Sequence, residues 1–182
     1  MTEPSTDFRK AFSEAVRELR SSGKPSRETL MATARSLAEK RIQSGSPGLW
    51  KRAPRMALAT VDDGWGHGLE VIRAWAEAAG MEVRHLGLMV APDAIIDACR
   101  KWSPGVLGMT VLQFDTEEAM AQIRRGIPSS TQIVAGGPLF RADPELAKRA
   151  GIDVVAADAA AFGEFLLAFS PSPPRQFPEI AP

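Results

Sequence analysis

The sequence predicts an α/β protein built on a doubly wound, five-stranded parallel sheet, with a short helical extension in front of it. Two observations carry this expectation. Apolar runs of five to seven residues recur between residues 56 and 156, bounded by glycine or polar turns, as strands buried on both faces require. Segments with apolar residues at helical spacing lie between them, and parallel neighbours need such crossover connections.

The elements follow in order. Over residues 6–20, Phe8, Phe12, Val16 and Leu19 form one helical stripe, closed by Ser21-Ser22-Gly23. Pro25-Ser26 opens a second helix with Ser26 as its N-cap, and Leu30, Ala34, Leu37 and Ala38 line it. Residues 1–43 thus form an N-terminal helical segment. Residues 44–54 read as a linker, in which Lys51 and Arg52, with nearby Arg55 and Pro54, suit a solvated stretch. The α/β domain spans residues 55–169. Its predicted strands are 56–61, 81–87, 105–111, 131–137 and 152–156, and its predicted helices are 68–79, 92–101, 115–125, 144–150 and 158–169. Residues 170–182 are Pro-rich and are expected to be unpacked.

Composition narrows the function classes. Lys+Arg and Asp+Glu both number 22, which argues against a nucleic-acid binder. The single cysteine, Cys99, rules out an internal disulfide or a Cys-rich zinc framework and suits a reducing compartment. No apolar run nears the ~20 residues of a membrane span, and the N-terminus lacks the apolar core of a signal peptide. A cytoplasmic location is expected.

In doubly wound sheets, ligands bind outside the carboxyl ends of the strands, where the strand order reverses. Three loops stand out there. The first is Asp63-Gly64-Trp65-Gly66-His67-Gly68; its glycines at 64, 66 and 68 do not have dinucleotide-fingerprint spacing, and no P-loop lysine follows. The second is Thr110-Val111-Leu112 and the third Gly136-Gly137, where paired glycines are expected to leave a slot suited to a long ligand tail.

Taken together, residues 56 to about 169 resemble the cobalamin-binding domain shared by methionine synthase, adenosylcobalamin mutases and corrinoid methyl-carrier proteins. That family's pattern is D-x-H-x-x-G, then S-x-L, then G-G. Asp63 and Gly68 match the first at the correct separation, Thr110 and Leu112 match the second with Thr for Ser, and Gly136-Gly137 match the third. The resemblance implies a flavodoxin-like or Rossmann-like cobalamin-binding fold. It also implies a corrin lying over the strand ends, with its nucleotide tail running toward Thr110 and Gly136-Gly137.

The departure is Trp65, which stands where the family has a histidine that ligates cobalt from below. An indole has one N–H donor and no in-plane lone pair, so it cannot ligate a metal. Asp63 and Thr110 would tune that histidine through hydrogen bonds, but Asp63 also suits a helix N-cap. Trp65 either plugs the space or stacks on a flat ring. His67 ligates cobalt only if the Gly-rich turn bends it under the ring; otherwise it is a solvent-facing residue near the helix start. Cys99, Met89 and Met109 suit core positions better than soft-metal ligation.

No residue has the setting of a general acid, base or nucleophile. The leading expectation is therefore a corrinoid carrier or accessory subunit in methyl transfer, or with a radical partner enzyme. The alternatives are a haem- or cobalamin-binding sensor and a scaffold with no cofactor. Two helices are too few for a closed bundle over the ring. A homodimer or a protein partner is expected to complete one, with Phe8, Phe12, Val16 and Leu19 at the contact.

Overall fold

A computed structural model describes residues 6–171. The chain forms β1 (Arg55–Thr60), β2 (Glu82–Gly87), β3 (Val106–Thr110), β4 (Gln132–Gly136) and β5 (Val154–Val155), all parallel, in the order β2-β1-β3-β4-β5. The order reverses between β1 and β3. The doubly wound sheet is as the sequence predicts.

Residues alternate across the strands, so each face receives its own core. Met56, Leu58, Val106 and Val134 point to one face, where α3 (His67–Ala79) and α8 (Ala159–Ala168) pack. Ala57, Ala59, Leu107, Met109, Ile133 and Ala135 point to the other, beneath α4 (Pro92–Trp102), α5 (Glu117–Gly126), α6 (Leu139–Ala142) and α7 (Leu146–Ala150). The short helix α6, directly after β4, was not expected from the sequence. It forms because Pro138, held in the αR conformation, starts a turn whose Leu139 and Phe140 are buried.

The N-terminal helices, α1 (Thr6–Ser21) and α2 (Arg27–Gln43), add a third layer. α1 lies on α8 and α2 on α3. Ser26 caps α2, accepting from Thr29 N at 3.1 Å, as expected. The four apolar residues of α1 were expected at a contact with a second copy or a partner. Instead all four are buried within the chain. Phe12 meets Trp75 of α3 edge to face at 5.7 Å, and Val16 fills the space left by Gly163 of α8. Burial of side chains this size contributes roughly 1.5–3 kcal/mol each, which α1 gains from its own domain. The stripe is therefore not an interface in this arrangement.

Residues 44–54 are not a solvated linker along their whole length. Ser46, Gly48, Leu49, Trp50 and Pro54 are buried, while Ser44, Gly45, Lys51, Arg52 and Ala53 are exposed. Leu49 N donates to Ala79 O at 2.9 Å, and Trp50 Nε1 donates to Phe169 O at 2.8 Å. Gly48 and Gly80 allow the two backbones to touch: a β-carbon on Gly48 would stand 2.2 Å from Ala79 O. The segment is a strap over the amino edge of the sheet. Of the expected Pro-rich tail, residues 172–182 lie outside the described residues.

Candidate functional site

The carboxyl ends of β1, β3 and β4 gather the residues singled out from the sequence. β1 ends at Thr60, whose hydroxyl donates to Asp63 O at 2.6 Å and accepts from Met89 N at 3.0 Å. One side chain thus clips together the loops after β1 and β2. Asp63 is buried below, and its Oδ1 accepts from Trp65 N at 2.7 Å. Of the roles open to Asp63, the N-cap is not the one taken; it closes a turn two residues on. The N-cap of α3 is Gly66, at φ 69°, with no side-chain capping bond. The second oxygen of Asp63 receives the Thr110 hydroxyl at 3.5 Å, a long contact that joins the loops after β1 and β3.

Each of these glycines has a neighbour set against it. A β-carbon on Gly68 would stand 2.6 Å from Thr110 Cγ2, so the threonine methyl occupies the space that Gly68 vacates. A β-carbon on Gly137 would stand 2.0 Å from Val111 O, and one on Gly136 2.7 Å from Ala156 O. Gly137 has φ 139°, a backbone conformation that L side chains rarely adopt. These glycines bring neighbouring segments into contact, Val111 against Gly137 and Ala156 against Gly136.

Around these loops, large apolar side chains are exposed. Among the described residues, six of the seven large hydrophobic side chains that remain exposed sit at this edge: Trp65, Leu88, Met89, Leu112, Phe114 and Val155. Trp65 is 79% exposed, Met89 67% and Phe114 65%, so Trp65 plugs nothing. His67 is exposed as the first residue of α3, its ring 6.1 Å from that of Trp65 and tilted 48° to it. Gly64 is exposed between Asp63 and Trp65. Cys99 and Met109 are fully buried, and burial pushes the Cys99 thiol up to about 11, so neither is placed to meet a ligand. No group of three or more His, Cys, Asp or Glu among the described residues is arranged to hold a metal ion.

Leu88, Met89, Phe114 and Asp62 were not singled out as binding residues. Met89 has φ 52°, a strained value for a residue with a side chain, and it holds its thioether out at the rim. Asp62 Oδ2 accepts from Leu112 N and Gln113 N, both at 2.7 Å, which fixes the loop after β3 against the loop after β1. Beside it, at the reversal of strand order, lies a cleft of about 370 Å³ whose lining includes Asp62, Met89, Pro92, Gln113, Asp115 and Thr116. Apolar residues in a loop after a strand were the available signal for Leu88 and Met89. Asp62 could be told from Asp63 only by a contact 50 residues away.

Comparison with known proteins agrees with the fold. The chain is similar in structure to a cobalamin-binding protein from Desulfitobacterium hafniense DCB-2, with a TM-score of 0.70 and 24% identity over 87% of this chain and 77% of that one. It is also similar to the monomethylamine corrinoid protein of Methanosarcina barkeri, with a TM-score of 0.54 and 15% identity over 89% and 96% of the two chains. A chain of the methanol:cobalamin methyltransferase complex of Methanosarcina barkeri gives a TM-score of 0.55 and 16% identity, over 91% and 80%. At these identities the likeness is one of fold. No curated protein sequence matched. The family model described as the B12 binding domain matches residues 57–166, more than half of the chain. The chain therefore belongs to the family of B12 binding domains.

Proposed function

We propose that this protein is a corrinoid carrier that seats cobalamin on the carboxyl edge of its sheet without a histidine lower ligand at position 65. The observation that carries the reading is the exposed apolar rim of Trp65, Leu88, Met89, Leu112 and Phe114, which among the described residues is concentrated at one edge. Apolar patches of this kind on a soluble domain mark binding surfaces.

The rim suits the broad face of a corrin, and Gly68, Gly136 and Gly137 let the loops beside it approach closely. A bound corrinoid would supply a cobalt centre able to carry a methyl group or to form a radical. The chain's own part is to hold and orient it. Trp65 offers a flat π surface, Asp63 and Thr60 fix the loop that presents it, and Asp62 fixes the loop bearing Leu112 and Phe114.

α1 and α2 flank α3 and α8 and do not stand over the carboxyl edge. The outer face of a seated ring is therefore left for a second protein, the acceptor or donor of the carried group. The likeness to a corrinoid protein and to a methyltransferase complex supports a place in methyl transfer.

The test is retention. Purified protein is mixed separately with hydroxocobalamin, methylcobalamin and haem, freed of unbound ligand, and its absorption spectrum recorded. The reading expects a retained corrinoid band near one equivalent and no Soret band. Retention of haem in place of the corrinoids, or of neither, would overturn it.

A further inference from the structure

The charges of this molecule are sorted between the two edges of its sheet. α4, α5 and α7 run back to the amino edge, and their last turns hold Arg100 and Lys101, Arg124 and Arg125, and Lys148 and Arg149. The carboxyl edge is the reverse. From the ends of β1, β2 and β3 to the first turn of the helix after each, residues 61–70, 88–95 and 111–120 contain no Lys or Arg. Acids at helix starts and bases at helix ends complement the helix dipole, which accounts for the sorting within each helix. Asp62 lies in the loop after β1, and Asp115 in the single 3-10 turn ahead of α5, so neither belongs to that pattern.

The acidic residues of these three segments divide by what they meet. Asp63 is buried, and Glu70, Glu117 and Glu118 pair with Arg27, Arg149 and Arg125. Asp62, Asp93 and Asp115 have no cationic partner among the described residues. Asp62 accepts from two backbone N–H groups and Asp93 from the Gln122 amide at 2.8 Å. These three carboxylates border the apolar rim. Asp62 and Asp115 line the cleft beside Met89, Asp115 directly follows Phe114, and Asp93 opens α4 just beyond the loop that bears Leu88 and Met89. Arg141, after β4, is an exposed cation of this edge, but it stands two strands from β1. The acidic border therefore follows the loops of β2, β1 and β3, which are neighbours in the sheet.

Protein interfaces have an apolar centre and a polar border, and charged borders select partners by complementarity. We infer that the carboxyl edge docks a protein whose contact face sets Lys and Arg around an apolar centre. This rests on the corrinoid reading for the partner's place, over the side that a seated ring leaves open; the charge pattern itself stands with the edge empty or filled. Carboxylates without cationic partners speed the encounter with such a face, and salt screens them, the Debye length being about 8 Å at physiological ionic strength. The basic amino edge repels the same partner, so the two ends orient it as it approaches.

Two amphipathic helical peptides test this, built on one leucine pattern, with lysine at every polar position of the first and glutamate at those of the second. Each is titrated into the full chain while tryptophan emission is recorded, since Trp65 is exposed and the other tryptophans are buried. The lysine peptide is expected to move the emission to shorter wavelength, saturably, and the shift is expected to vanish in Trp65→Phe. Its binding should weaken about 10-fold between about 10 mM and about 0.15 M salt, and about 10-fold at low salt in Asp93→Asn/Asp115→Asn. The glutamate peptide, drawn to the amino edge, should leave the Trp65 emission unchanged. A glutamate peptide that shifts Trp65 equally, a lysine peptide that does not shift it, or binding indifferent to salt overturns the inference. So does a folded double variant that binds as the unaltered chain does; if that variant does not fold, the salt titration of the unaltered chain decides alone. Failure to retain a corrinoid is a different result: it removes the corrinoid reading and leaves a basic partner for an edge without a ring.

Discussion

The two edges of the sheet use the same kind of residue for opposite purposes. At the amino edge, Trp50 is 8% exposed, donates to Phe169 O and meets the Phe169 ring at 6.0 Å, while Trp102 lies beneath the Arg84 guanidinium at 4.4 Å. At the carboxyl edge, Trp65 has no such cover. The strap of residues 44–54 closes one end, and nothing among the described residues closes the other. Large apolar side chains on one molecule are therefore buried where a strap covers them and left exposed where it does not.

Substitutions can break this contrast. Trp50→Ala should cost roughly 3–5 kcal/mol in chemical denaturation, since it removes a buried ring and strands a backbone acceptor. Phe12→Ala belongs in the same range through its contact with Trp75. That loss should not vary with protein concentration, whereas a contact between copies would make it do so. Asp62→Ala should cost about 1 kcal/mol, because the two N–H groups it releases belong to exposed residues that water can reach. Trp65→Ala should stay within about 0.5 kcal/mol of the unaltered chain. If Trp65→Ala were as damaging as Trp50→Ala, the distinction between the edges would be wrong.

The smallest expected effect is one of pH. Hydrogen bonds from Arg149 hold the Glu117 and Asp143 carboxyls below their ordinary range. Folded-state values depressed in this way contribute stability that is present above the unfolded carboxyl range and is lost as pH falls through the folded values. Arg149 is exposed and both carboxyls are partly so, so the gain is slight. The stability difference between the unaltered chain and Arg149→Ala should shrink toward zero on acidification; a difference that grew would contradict the pairing.

The fold was legible because its strands are buried on both faces and their runs end in turns, a pattern that requires crossovers. That three loops would meet at the carboxyl ends was legible too, since Asp63, Gly68, Thr110 and Gly136-Gly137 follow directly on β1, β3 and β4. The rest depended on contacts between distant segments. Gly68 signals close approach but not what approaches, and only the fold shows that it is the Thr110 methyl. The sequence around Gly48 has the composition of a linker, and its burial depends on meeting Gly80. Met89 and Phe114 carry the same apolar signature as core residues, and only the absence of a covering layer makes them a rim.

Equilibrium dialysis of the unaltered chain and of Trp65→Ala against methylcobalamin tests the central claim most directly. The four tryptophans include three that are buried, so the comparison isolates the exposed indole. The account predicts saturable binding near one equivalent per chain, weakened about 10-fold in Trp65→Ala with folding intact. Equal binding by both proteins would contradict a carboxyl edge organised around Trp65.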